Sequence, residues 1–132
     1  MKELFAIDVD ITESHTLQSA CGQVNMVLFT GRCDCAFFRG EILSGGVDTQ
    51  RYPADGPGGL SARYMLQGVD DQGTATRICI ENNGAFDEQG VCTTHPQILT
   101  DNPRLRWLEE AALTGRISGR PGGVRIHFLV EG

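Results

Sequence analysis

Two runs of alternating side chains, Leu60 to Val69 and Thr74 to Asn82, flank the short turn Asp70-Asp71-Gln72-Gly73. A period of two on both sides of a turn ending in glycine specifies an antiparallel hairpin. Its register follows from segregating charge from hydrocarbon. Placing Leu66 opposite Ile78 and Tyr64 opposite Ile80 gathers the apolar side chains on one pleat face and sets Arg63 against Glu81 and Met65 against Cys79 on the other. A slip of one residue would mix the two sets on each face, so burial of one face selects this register.

The same period recurs elsewhere. Leu4 to Ile11 alternates, with Phe5, Ile7, Val9 and Ile11 on one side and Asp8 and Asp10 on the other. Val24 to Thr30 is β-branched and aromatic and ends at Gly31. A strand is expected from Cys35 to Leu43, with a bend or bulge at Gly40, and Ser44-Gly45-Gly46 breaks it. Tyr52 to Gly59 reads as a loop from its prolines and glycines, and Gly84 to Pro96 reads as a loop from its polarity. Asp101-Asn102-Pro103 is a helix start, and Leu105, Leu108 and Ala112 recur at helical spacing, which predicts a helix of about two to three turns over roughly 103 to 112. Ala112 to Ser118 and Val124 to Val130 form a last hairpin around Gly119 to Gly123. This pattern predicts an all-β fold, an antiparallel up-and-down β-barrel of about seven or eight strands with one short helix near the C-terminal third. With 132 residues, the expectation is a single β-barrel domain over 1–132.

The net charge of −6 and a single lysine, Lys2, argue against nucleic acid and anionic membrane surfaces as partners. No apolar run approaches the ~18 residues of a membrane span. Five cysteines, Cys21, Cys33, Cys35, Cys79 and Cys92, form an odd set without regular spacing. With no secretory apolar region after Met1, a reducing cytoplasm is the expected compartment. Cys33-Asp34-Cys35 lacks the spacing of common zinc sites, so no metal or other cofactor is expected.

Three runs carry a family resemblance. They are Gly40-Glu41-Ile42-Leu43-Ser44-Gly45-Gly46-Val47-Asp48, then Leu60-Ser61-Ala62-Arg63-Tyr64-Met65-Leu66 followed by Gly73, then Trp107-Leu108 followed by Thr114-Gly115-Arg116 and Gly123-Val124-Arg125-Ile126. In this order the chain resembles the domain-of-unknown-function 3237 family over roughly residues 35 to 130. The resemblance implies a calycin-like antiparallel β-barrel and no particular activity.

The candidate chemistry lies in Asp48, Arg63, Glu81 and His127. If the face shared by Arg63 and Glu81 points into the barrel, two carboxylates, a guanidinium and an imidazole converge in a confined space, where desolvation separates their pKa values into acid and base roles. Arg63 would then hold a carboxylate or enolate while Asp48, Glu81 or His127 moved a proton. The alternative is a surface pair of Arg63 with Glu81 and a turn role for Asp48. Tyr64 and Trp107 are the aromatic candidates for ligand contact, with core packing and a barrel-end plug as their alternatives. Three functions follow in order: a barrel holding a small-molecule ligand in its lumen, a cofactor-free isomerase, lyase or hydrolase acting on a hydroxylated or carbonyl metabolite, and a non-catalytic accessory subunit. A homodimer paired through a strand face is the assembly that a small barrel suggests.

Overall fold

A computed structural model of the chain describes residues 1–131. The hairpin at the centre of the sequence forms as its alternation requires. Strand β5 (Gly59–Asp70) pairs with β6 (Ala75–Phe86), Leu66 lies opposite Ile78, Tyr64 opposite Ile80, Met65 opposite Cys79 and Arg63 opposite Glu81. Leu66, Tyr64, Ile78 and Ile80 are all buried.

The remaining strands extend this hairpin into an antiparallel sheet that closes on itself. They are β1 (Lys2–Ser19), β2 (Gly22–Asp34), β3 (Phe38–Ile42), β4 (Gly46–Pro53), β7 (Cys92–Thr100), β8 (Thr114–Arg120) and β9 (Gly123–Val130). Closure comes from β1, which pairs with β2 on one side and β9 on the other. Nine strands occupy eight positions, because β3 and β4 share the place between β2 and β5. They are one strand broken in the middle. Between the pairs Ile42–Leu66 and Val47–Arg63, four residues (43–46) face two (64–65), so two extra residues are inserted. Gly45, at φ +102°, supplies the left-handed conformation that this break needs. An even insertion preserves the pleat phase, so Ile42, Gly46 and Asp48 all stay on the inner side.

Three expectations need correction. The segment from Gly84 to Pro96 is not a loop: β6 continues to Phe86, β7 begins at Cys92, and only Asp87–Val91 turns between them. Its polarity misleads because Thr94 is a polar residue on the inner face, while outward residues such as His95 meet solvent. The loop expected over 52–59 is shorter too, since Tyr52 and Pro53 belong to β4 and Gly59 to β5. Finally, the helix over 103–112 is replaced by a 3-10 turn, Pro103–Leu105, and one α-helical turn, α1 (Trp107–Glu110). Asn102 caps the 3-10 turn, its side chain accepting from the Arg104 N–H at 2.9 Å. Glu109 turns back to accept from the Thr100 N–H, and Ala111 is extended, which ends the helix early.

The barrel is filled at one end and open at the other. Phe5 stacks on Phe128 with ring centroids 4.3 Å apart, and Leu105, Leu108 and Leu113 pack into the same cluster. Leu108 therefore plugs the closed end. Trp107 stays 42% exposed and meets Phe37 edge-on. Beyond Ile11, β1 is exposed, while its partner β2 stays mostly half-buried and pairs with β4, from Gly22 opposite Pro53 to Phe29 opposite Gly46. None of the helices among the described residues is long and apolar enough to cross a membrane.

Candidate functional site

The open end holds a cavity of about 650 Å³, walled by Val9, Val27, Phe29, Leu60, Ile126 and their neighbours. Two oxygens set in this apolar wall, Asp48 Oδ1 and Asn82 Oδ1, are buried without a hydrogen-bond partner among the described residues. Asp48 sits on β4 between Val27 on β2 and Ala62 on β5, both of which line the cavity, and Asn82 lies opposite Ala62 on β6. The Tyr64 hydroxyl and Thr94 Oγ1, also buried and unpartnered, lie outside the lining itself. No lysine or arginine contributes to the cavity wall.

Asp48 is held by a file of amides. Gln18 Nε2 donates to Gln23 Oε1 at 3.0 Å, and Gln23 Nε2 donates to Asn25 Oδ1 at 3.0 Å. Asn25 Nδ2 then donates to Gln50 Oε1 at 3.4 Å, and Gln50 Nε2 donates to Asp48 Oδ2 at 3.0 Å. Gln23, Asn25 and Gln50 each accept through oxygen and donate through nitrogen in the same direction, so the bonds polarise one another toward the carboxylate. Even so, burial dominates and raises the Asp48 pKa above its usual value, with Gln50 offsetting part of the shift. Burial also raises the Tyr64 phenol, reinforced by Cys33 and Asp48, and it raises the Cys92 thiol.

Of the four residues expected to converge, only Asp48 lies in the lumen. Arg63 and Glu81 alternate with Ala62, Tyr64, Ile80 and Asn82, so they face outward, where Arg63 Nε meets Glu81 Oε1 at 2.5 Å. Arg63, then Asn83, lower the Glu81 pKa. His127 lies between the buried Ile126 and Phe128 and also faces out, its ring bonded to Ser118 and Glu3. Arg63 and Glu81 share a pleat face as the register requires, and the burial of Ala62, Tyr64, Ile80 and Asn82 turns that face outward, so the convergence conditional on an inward face does not occur. Tyr64 packs inside against Phe29, with ring centroids 5.3 Å apart. Trp107 lies beside the plug at the far end from the cavity. Asn82 and Gln50 line the cavity and are not among the residues that the sequence singles out. Asn82 could have been found, because it continues the inner phase of Ile78 and Ile80.

No protein-family model matches the chain. Over 86 residues it is 31% identical to a UPF0311 protein of Clostridium acetobutylicum. That match covers 63% of this chain and 52% of the relative, so the chain spans about half the length of the curated relative it matches. A crystal structure of a protein of unknown function from Clostridium acetobutylicum superposes with a TM-score of 0.79 at 26% identity, covering 96% of this chain and 93% of that one. A β-barrel-like protein from Acinetobacter baumannii superposes with a TM-score of 0.72 at 19% identity, covering 96% and 92%. The β-barrel-like fold is common to these structures.

Proposed function

We propose that this chain binds a neutral, largely apolar small molecule in the open end of its barrel, through hydroxyl groups that donate to Asp48 Oδ1 and Asn82 Oδ1. The observation that carries this reading is the pair of buried, unpartnered acceptor oxygens facing a cavity of about 650 Å³. A buried acceptor left without a donor costs on the order of 1–3 kcal/mol, so a ligand hydroxyl would recover that cost while apolar walls take the rest of the molecule. The absence of a wall cation argues against carboxylate or phosphate ligands, and Arg63 is not available as an anion holder. The test is a melting-shift panel of hydroxylated compounds, their methyl ethers and matching carboxylates. Hydroxylated members at about 100 times their Kd should stabilise the protein by about 2.7 kcal/mol. Equal shifts from the methyl ethers would refute donation to Asp48 and Asn82.

A second reading rests on the same carboxyl. A carboxyl whose pKa is raised by burial holds its proton more readily than a solvated one, so a cofactor-free isomerase, lyase or hydrolase using Asp48 alone as acid or base is consistent with the site. Turnover of a bound hydroxylated or carbonyl compound, lost in Asp48→Asn while binding persists, would support it. The three sequence runs described above favour placing the chain in the domain-of-unknown-function 3237 family, with a calycin-like barrel. Its free cysteines suit a reducing cytoplasm.

A further inference from the structure

The closed half of the barrel holds a pair of thiols that the lumen does not use. Cys33 ends the buried face of β2 and is 3% exposed, while Cys35 is half-buried in the bend between β2 and β3. In a regular strand, side chains two residues apart stand about 6.6 Å apart, two rises of the chain. Here the bend brings the two sulfurs to 3.9 Å, within reach of a bond from the Cys33 thiol to the Cys35 sulfur. The Cys35 N–H closes the bend on the Phe38 carbonyl at 2.9 Å. A thiolate is the nucleophilic form of cysteine. The bond from the Cys33 thiol is the main cause that brings the Cys35 pKa down to about 7, against the cost of burial and with a smaller contribution from the neighbouring backbone of Phe37 and Phe38. The same bond and burial push the Cys33 thiol up. The half-buried thiol is activated, and its buried neighbour holds its proton.

We propose that Cys33 and Cys35 are a dithiol site that reduces a small hydroperoxide, with Cys35 attacking, Cys33 resolving, and a disulfide between them as the product. The Cys35 thiolate attacks the terminal peroxide oxygen, the O–O bond breaks, and the departing oxygen takes a proton to leave as water or an alcohol. Cys35 is then a sulfenic acid. The Cys33 sulfur attacks the Cys35 sulfur, the S–O bond breaks, and the Cys33 proton leaves with hydroxide as water. Two electrons pass from the two sulfurs to the peroxide. Closing the sulfurs from 3.9 Å to a disulfide at about 2.05 Å draws on the bend rather than on the ladder, whose last rung is Asp34 with Arg39. A small-molecule thiol restores the pair by exchange and is itself oxidised to its disulfide.

Trypsin separates this pair from the other cysteines, because it cuts after Arg32 and Arg39 and releases Cys33–Arg39 with both thiols. Reduced protein is treated with one equivalent of hydrogen peroxide, quenched with an alkylating agent, digested and weighed. The Cys33–Arg39 peptide should lose two hydrogens and escape alkylation, roughly tenfold faster than an ordinary exposed thiol reacts, and should recover on reduction. In Cys33→Ala, the Cys35 sulfenic acid should accumulate and be captured by a cyclic 1,3-dione. The wild-type peptide decides the matter even if that variant fails to fold. Oxidation of the exposed Cys21, alone or as a cross-link between chains, with Cys33–Arg39 still doubly alkylated, would overturn the proposal. So would a wild-type peptide that carries extra oxygen on Cys35 without forming the disulfide.

Discussion

Gln50 Nε2 donates to Asp48 Oδ2 at 3.0 Å, while the other carboxylate oxygen of Asp48 is buried and bare. The raised Asp48 pKa has a definite consequence for stability. Below the unfolded-state value, Asp48 is protonated in both states and costs nothing. As pH rises through that value and past the folded pKa, the unfolded chain gives up the proton more readily than the fold does. Stability falls over that window and stays lower above it. Asp48→Asn keeps an oxygen for Gln50 and removes the charge. Its urea midpoint should therefore exceed that of the wild type at pH 7, with the gap closing toward pH 3, and the variant should lose most of the melting shift from a hydroxylated ligand. An unchanged midpoint across this range would show that Asp48 is solvated.

Arg63 and Glu81 lie outside the barrel, with the Arg63 side chain 71% exposed, so they have no route to a ligand in the lumen. Arg63→Ala and Glu81→Gln should leave the ligand-induced melting shift unchanged. His127→Gln should do the same, since its ring faces Ser118 and Glu3. Loss of the shift in any of the three would move the ligand to the outer face.

The strands most legible in the sequence are those with a dry inner side. Leu66, Ile78 and Ile80 meet other hydrocarbon, so alternation alone fixes the β5–β6 register. Legibility fails where the inner side is polar or the chain changes phase. Thr94 lies inward on β7, and without a clean apolar alternation the strand reads as a loop. Asp48 sits after a two-residue insertion that local periodicity cannot reveal, although its even count is what keeps the carboxylate inside. The sequence leaves Arg63 with an inward and an outward alternative, because a pleat pattern separates two faces without saying which one curves inward. The burial of Tyr64 beside it settles that question in the structure.

Asp70 should behave in the opposite sense to Asp48. Its side chain is 1% exposed, but it accepts from the backbone N–H groups of Gln72 and Thr74 and from the side chains of Asn102 and Arg104. Burial opposes its charge, yet these donors together hold the carboxyl well below the usual range. A depressed pKa gives stability that is present above the unfolded value and lost as pH falls through the folded one. Asp70→Asn should lower the urea midpoint at pH 7, and the deficit should shrink in strong acid. The variant frees the turn between β5 and β6 from the capped turn at Pro103–Leu105. Faster amide exchange at both turns, and nowhere else, would show that Asp70 ties them together.

The join between β7 and β8 rests on one matched pair, Thr94 with Gly115. A Cβ on residue 115 would lie 2.1 Å from Thr94 Oγ1 and 3.4 Å from both amide atoms of Asn82. Glycine is therefore required there by the approach of a neighbouring side chain, since Gly115 is not among the glycines at positive φ. Gly115→Ala should destabilise the fold by about 1–3 kcal/mol, the usual cost of overpacking. Thr94→Ala removes the clashing oxygen, which has no partner to lose. The double variant should thus be more stable than Gly115→Ala alone, with a coupling of about 1 kcal/mol or more between the two sites. Additive costs in that cycle would mean that the strain of Gly115→Ala falls on the backbone. A favourable coupling would locate it at Thr94, beside the Asn82 amide that faces the cavity.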